Sequence, residues 1–254
     1  MRAIALLLLL GAGCGGGRVP VLAHRGGPVP DGTIAAAERS IALGVEILEM
    51  DVRLTKDGHA VILHDATVDR TTDGKGPVAA LTLAELQRLD AGVKDGVPGE
   101  RVPTVVQLLA AVRGRAWVTL ELKVAAAADR TVDAIRTADA FAWTAVRSPD
   151  LGRLAELRKA DPRLKTGAMA PLPAPADRSA FLSRLQEAGV FAWTPGSNEK
   201  LTREDVAAAQ SAGIVVWATL ANDADQMRRL AALGVDGIIT DKPDLLIQVL
   251  NEAP

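Results

Sequence analysis

The sequence predicts an α/β protein built as a TIM (β/α)8 barrel, and three features carry that expectation. Short apolar or β-branched runs alternate with stretches of helical period, eight such runs can be counted, and 254 residues suffice for one core of that size. The expected strands are 19–24, 47–54, 117–122, 142–146, 165–169, 190–194, 214–219 and 237–240. Between them, 33–43, 105–112, 151–160, 177–188, 203–212 and 224–233 place apolar residues three and four apart, with 129–138 as a helix of weaker period. Gly44, Gly189, Gly213 and Gly234 stand where those helices should stop. The stretch 61–103 breaks the rhythm: it is long, rich in Gly, Asp and Thr, and holds one short helical pattern at 83–89. A small inserted subdomain is therefore expected over 65–103, after the second strand region, covering part of the mouth at which the strands end. The barrel itself is expected over 19–252.

With 48% hydrophobic and 24% charged residues the chain can bury a core, which excludes a disordered one. A net charge of −2, from 29 basic and 31 acidic residues, gives no general attraction to nucleic acid, so an anionic partner must be met by local cations. The lone cysteine, Cys14, follows Arg2, the apolar run 3–10 and Gly11-Ala12-Gly13. That run is too short for a membrane-spanning helix, which takes about 20 residues. It reads as a secretory signal with a small-residue cleavage site. The segment resembles a bacterial lipoprotein signal, with Gly11 where an aliphatic residue is usual and Gly15–Gly17 as a tether. The expectation is a signal and tether over 1–18, secretion across the inner membrane, and anchoring in the cell envelope, with membrane contact through lipidated Cys14 only.

Two of the three histidines stand where strands end: His24, in Ala23-His24-Arg25-Gly26-Gly27, and His64, in Leu63-His64-Asp65. Histidine titrates near neutrality, so such a pair can serve as general acid and general base. His59 lies in a polar turn and reads as an ordinary exposed histidine. Glu49 and Asp51 are two apart in an apolar strand and so share a face of the pleat. With Glu121 they bring three negative charges to one mouth. A like-charged pair at 4 Å costs about 4 kcal/mol at an effective dielectric near 20, so the group needs protons or a cation. Oxygen donors favour Mg²⁺ or Ca²⁺ over zinc; salt bridges to Arg53 and Lys123 are the plainer alternative. Arg25 and Lys123 are placed to hold phosphate oxygens.

These residues, in this order, resemble the glycerophosphodiester phosphodiesterase family across almost the whole chain after the signal. The resemblance rests on Ala23-His24-Arg25-Gly26-Gly27, Glu49-Met50-Asp51-Val52, Thr55-Lys56-Asp57-Gly58, Leu63-His64-Asp65 and Asp69-Arg70-Thr71-Thr72-Asp73-Gly74-Lys75-Gly76. It extends to Val102-Pro103-Thr104, Leu120-Glu121-Leu122-Lys123 and the ending Gly234 to Pro243. It implies metal-dependent hydrolysis of glycerophosphodiesters to sn-glycerol 3-phosphate and an alcohol such as choline or ethanolamine. His24 and His64 would be the acid–base pair, Glu49, Asp51 and Glu121 would hold one divalent cation, Mg²⁺ or Ca²⁺, and Arg25 and Lys123 would bind phosphate.

Two positions depart from the pattern. Pro30-Asp31-Gly32-Thr33 stands where the family usually reads Pro-Glu-Asn-Thr, which shortens a carboxylate with a possible loss of metal affinity, or leaves Asp31 as a turn or capping residue. Trp217 is not followed closely by the asparagine that relatives often carry; Asn222 comes later, and Trp217 itself could wall the glycerol or head group or simply pack in the core. Two other functions stay open: a phosphodiester lyase that leaves a cyclic phosphate, and a lipoprotein that binds phosphodiesters without turnover.

Overall fold

The computed structural model describes residues 18–252, so the expected signal, most of the expected tether and Cys14 lie outside the described residues. Two compact units divide the chain, one over Ala23–Thr144 and the other over Ala145–Pro254 with the described residues up to Leu22.

In the first unit, β2 (Ile47–Leu54) and β4 (Trp117–Leu122) run parallel in continuous register from Ile47↔Trp117 to Val52↔Leu122. Their alternation divides each strand: Leu48, Met50 and Val52 share one face, Glu49 and Asp51 the other. β3 (Ala60–Ile62) joins β2 on its other edge, antiparallel. The helices are α1 (Ile34–Leu43), the single turn α2 (Leu83–Leu86), α3 (Val105–Val112) and α4 (Ala128–Thr137). Threonines start three of them. Thr33 accepts from the Ala36 N–H, and Thr82 and Thr104 form reciprocal capping boxes with Glu85 and Gln107.

The segment 65–103 carries an apolar cluster of its own. Val68, Val78, Leu86, Ala91 and Val102 bury against Val61 and Leu63, with Leu81, Leu83 and Leu89 packed at the margin. Asp90 fixes its far loop by accepting from the Gly92 and Gly99 N–H groups.

In the second unit, β5 (Thr144–Ser148), β6 (Lys165–Met169), β7 (Ala192–Thr194), β8 (Val215–Ala218) and β9 (Gly237–Thr240) are successive parallel neighbours, and β1 (Val21–Ala23) lies beside β9. The helices α5 (Leu151–Ala160), α6 (Arg178–Glu187), α7 (Arg203–Ser211), α8 (Ala224–Leu233) and α9 (Pro243–Glu252) follow these strands in turn. Among the described residues, eight parallel strands thus alternate with helices, with β3 the one antiparallel addition, and the fold class is the TIM (β/α)8 barrel that the alternation predicts.

Several boundaries differ from the sequence reading. The expected strand at 142–146 begins later, at Thr144, because the Trp143 N–H closes a turn onto Ala140 O. The helical pattern at 83–89 stops at Leu86, where the Arg88 and Leu89 N–H groups bond three residues back. β3 and α9 were not expected as elements. β3 is three consecutive apolar residues with no alternation to read, and α9 begins at a proline that closes the terminal motif.

Candidate active site

Every residue of the acidic and histidine groups falls within the unit Ala23–Thr144. Directly after β1 the chain makes one 3-10 turn, His24–Gly26, in which Arg25 takes a left-handed φ of 54°. Two hydrogen bonds hold it: the Arg25 N–H donates to Glu49 Oε2 at 3.0 Å, and Ser40 Oγ donates to Gly26 O at 2.7 Å. Glycine is required next. At Gly27, φ is +115° and an added Cβ would lie 2.0 Å from Ser40 Oγ. The His-Arg-Gly-Gly sequence is thus the chemistry of a turn tied to Glu49, and it leaves His24 Nε2 3.9 Å from Glu49 Oε2.

Glu49 and Asp51 share a face of β2, and the β2–β4 register sets Asp51 opposite Glu121. One oxygen from each of the three carboxylates lies within 4.8 Å of the others. Glu49 and Asp51 are buried, at 1% and 2% exposure. Lys123 reaches into the group, with Nζ 3.1 Å from Asp51 Oδ1 and paired with Glu121 Oε1. One ammonium does not balance three carboxylates. Burial first, then the charge of Glu49, pushes the Asp51 carboxyl up to about 7 against the opposing pull of Lys123. Burial pulls the Lys123 ammonium down, but Asp51 and Glu121 outweigh it and the net shift is upward.

Asp51 Oδ1 is buried, with Lys123 Nζ 3.1 Å away as its ion-pair partner. A buried carboxylate oxygen that shares one ammonium with two further carboxylates fits a hard cation. The three acids can hold a metal ion.

His64 reaches the same cleft through β3. The Leu63 N–H donates to Asp51 O at 3.0 Å, and Arg53 Nε donates to His64 O at 2.8 Å, which ties the end of the hairpin to β2. Arg25, Asp31, Asp51, His64 and Thr71 line this cleft together.

A family model for the glycerophosphoryl diester phosphodiesterases matches residues 24–245. The chain belongs to that family. A glycerophosphodiester phosphodiesterase of Caldanaerobacter subterraneus subsp. tengcongensis is 32% identical over 244 residues, covering 91% of this chain and 98% of the relative. The solved glycerophosphodiester phosphodiesterase of Agrobacterium tumefaciens is 28% identical with a TM-score of 0.76, over 90% of this chain and 99% of that one. A phosphodiesterase of Oleispira antarctica, solved with its product sn-glycerol-3-phosphate, is 26% identical with a TM-score of 0.80, over 92% and 98% of the two chains. The chain is accordingly an enzyme of the glycerophosphodiester phosphodiesterase class, a phosphoric diester hydrolase.

Around the histidine of this phosphodiesterase-family site runs a chain of ion pairs that the sequence did not give away. His64 Nδ1 lies 2.7 Å from Asp65 Oδ1. Asp65 Oδ2 accepts from Arg70 Nε at 2.6 Å, and Arg70 Nη1 donates to Asp31 Oδ2 at 3.0 Å. The same Asp31 oxygen accepts from Arg25 Nη1 at 3.1 Å. Arg70, more than His64, holds the Asp65 carboxyl down at about 2. An ionised carboxylate only accepts, so the Nδ1 of His64 carries the proton and its Nε2 offers a lone pair. Burial, with the charges of Lys123 and Arg25, draws the His64 imidazole below its ordinary value, against Asp65. Asp65 and Arg70 were visible in the sequence only as parts of a familiar pattern; the spacing of Asp31, Asp65 and Arg70 gives no sign that they meet.

Asp31 lies in a turn, as one reading had it, but it does not cap α1, whose cap is Thr33; it stands between two guanidiniums and is not one of the three clustered acids. Gly32 has φ +71°, a left-handed position that asparagine tolerates better than most residues, so glycine there keeps the turn. Trp217 is fully buried, edge-on to Phe191 with ring centroids 6.2 Å apart. A wall facing a head group needs exposed indole surface, and the packing role is the one described. Asn222 accepts from Thr240 Oγ1 and the Asp241 N–H and donates to Asp241, a tie between loops. His59 is exposed beside Asp57.

Proposed function

We propose that this protein hydrolyses glycerophosphodiesters to sn-glycerol 3-phosphate and an alcohol, with His24 and His64 exchanging protons with the reacting oxygens. One divalent cation, Mg²⁺ or Ca²⁺, is held by Glu49, Asp51 and Glu121. The observation that supports the reading is that each histidine stands beside the acidic group: His24 Nε2 lies 3.9 Å from Glu49 Oε2, and His64 lines a pocket with Asp51 and Arg25. Arg25 and Lys123 draw the phosphate in and bear charge that builds on its oxygens. The cation, when bound, neutralises the three carboxylates and polarises the phosphoryl group. His64, neutral and with its Nε2 lone pair free by virtue of Asp65, takes a proton from the attacking water; His24 gives a proton to the departing alcohol. One P–O bond forms as the other breaks, and the proton count returns to its start through solvent.

Phosphorus NMR of glycerophosphocholine and glycerophosphoethanolamine reactions tests this. Glycerol phosphate should accumulate with the wild type and with neither His24→Ala nor His64→Ala. A lasting cyclic phosphate would refute the hydrolase reading, and wild-type turnover by both variants would refute the acid–base assignment. A second proposal concerns the leader: the apolar run ending at Cys14 supports secretion and lipid anchoring in the cell envelope. Cys14→Ser should then move the protein from the membrane fraction, and an unchanged partition would overturn the anchor.

A further inference from the structure

We infer that Arg70, carried in by the segment 65–103, is a positioning residue for His64 that acts through Asp65. The inference rests on the assignment of His64 to acid–base chemistry and adds to it a group that does not touch the reacting atoms.

The geometry points in one direction. Asp65 spends one oxygen on His64 Nδ1, at 2.7 Å, and the other on Arg70 Nε, at 2.6 Å. A carboxylate held by one partner only can swing; held by both it presents its first oxygen at a fixed angle, and the imidazole plane follows. Arg70 is itself pinned from the far side, since its Nη1 donates to Asp31 Oδ2 at 3.0 Å, where Arg25 Nη1 also donates. A planar fork can span two carboxylates in this way, which an ammonium cannot do with the same geometry.

The backbone under Arg70 is equally fixed. Val68 and Thr72 are fully buried, the Thr72 N–H and Oγ1 both donate to Val68 O, and Asp69 accepts from the Gly76 N–H at 2.8 Å. Stability does not explain the arrangement. The Arg70 side chain is 47% exposed, and ion pairs so exposed contribute little. Precise loop anchoring beneath a half-exposed guanidinium makes sense if the guanidinium has a place to keep, and that place is behind the carboxylate that orients His64.

The charged groups about His64 are Asp65 on its own segment, Arg25 and Lys123 nearby, Asp51 in the same cleft, and Arg53 on its carbonyl oxygen. Removing the charge of Arg70 leaves Asp65 less compensated, so the imidazolium of His64 gains stability and the acid limb of the rate profile moves to higher pH.

The test is a double-mutant cycle on the full-length enzyme loaded with its divalent ion: wild type, Arg70→Gln, Asp65→Asn and both together, with glycerophosphocholine as substrate. Arg70→Gln should lower kcat about tenfold or more with a smaller change in KM, as losses of orienting partners do. It should also raise the acid limb and alter the nitrogen chemical shifts of the His64 imidazole. In the Asp65→Asn background Arg70→Gln should cost little more, because its route to His64 is already cut. Arg70→Lys should fall between wild type and Arg70→Gln, and serves if the glutamine variant folds poorly. Additive losses, or a lower kcat with unmoved acid limb and imidazole shifts, would overturn the inference and leave Arg70 a structural tie. His64→Ala with full activity would instead overturn the assignment beneath it.

Discussion

Asp51 and Glu121 stand directly opposite each other in the parallel register of Ile47–Leu54 and Trp117–Leu122, and Lys123, two residues beyond Glu121, pairs with both. Each of these positions follows from strand period and register. The electrostatic consequence is a buried excess of negative charge that a divalent ion would relieve.

Asp51→Asn removes one of the two buried carboxylate charges. The metal-free variant should melt at or above the temperature of the metal-free wild type, because a neutral amide costs less to bury than a third carboxylate. The wild type should gain about 2.7 kcal/mol at a hundredfold excess of ion over its Kd, and the variant much less. Thermal scans with and without Mg²⁺ or Ca²⁺ check both.

The pH dependence has a fixed sign at each carboxyl. Asp51 is raised from 3.8 to about 7, so the metal-free folded state keeps a proton that the unfolded chain has released. Its contribution is present below 3.8 and is lost as pH rises toward 7. Asp65 is depressed to about 2, so its contribution is present above 3.8 and is lost as pH falls toward 2. His64, lowered from 6.5, loses its contribution as pH falls and opposes Asp51 in part of the same window. The difference between wild type and Asp51→Asn isolates the first effect. Denaturant titrations should show the wild type losing ground to the variant from pH 4 to 7 without metal, and a difference independent of pH would contradict the assignment.

His24→Ala and His64→Ala should each lower kcat by about 10²–10⁴-fold, the range of a general acid or base. Their side chains are 20% and 31% exposed, so circular dichroism should be unchanged.

Gly27→Ala tests the turn that presents His24. The new Cβ would collide with Ser40 Oγ in a backbone conformation that alanine resists, and the loss of stability should be about 1–3 kcal/mol with a fall in activity. Adding Ser40→Ala should relieve the closest contact but neither the backbone strain nor the loss of the Ser40–Gly26 hydrogen bond, and so recover only part of the melting temperature. Full recovery would show that φ at Gly27 matters little.

The barrel was legible because each strand and helix announces itself locally: Val105–Val112, Leu151–Ala160 and Ala224–Leu233 begin and end where caps and period place them. The acidic group was legible for the same reason, since a spacing of two is a geometric statement in a strand. The links from Arg25 to His64 were not. Arg70 and Asp31 are 39 residues apart, and their meeting depends on how the segment 65–103 packs on Val61 and Leu63. No local period encodes that. Trp217 stayed open for the opposite reason: a tryptophan at a strand end suits a binding wall and a core equally, and its burial favours the core.

The three clustered carboxylates are expected to support turnover only around a divalent ion. Release of sn-glycerol 3-phosphate from glycerophosphocholine, followed after exhaustive chelation and again after adding Mg²⁺ or Ca²⁺, measures this directly. Turnover should vanish with the chelator and return with one of the ions; undiminished turnover in excess chelator would contradict the account.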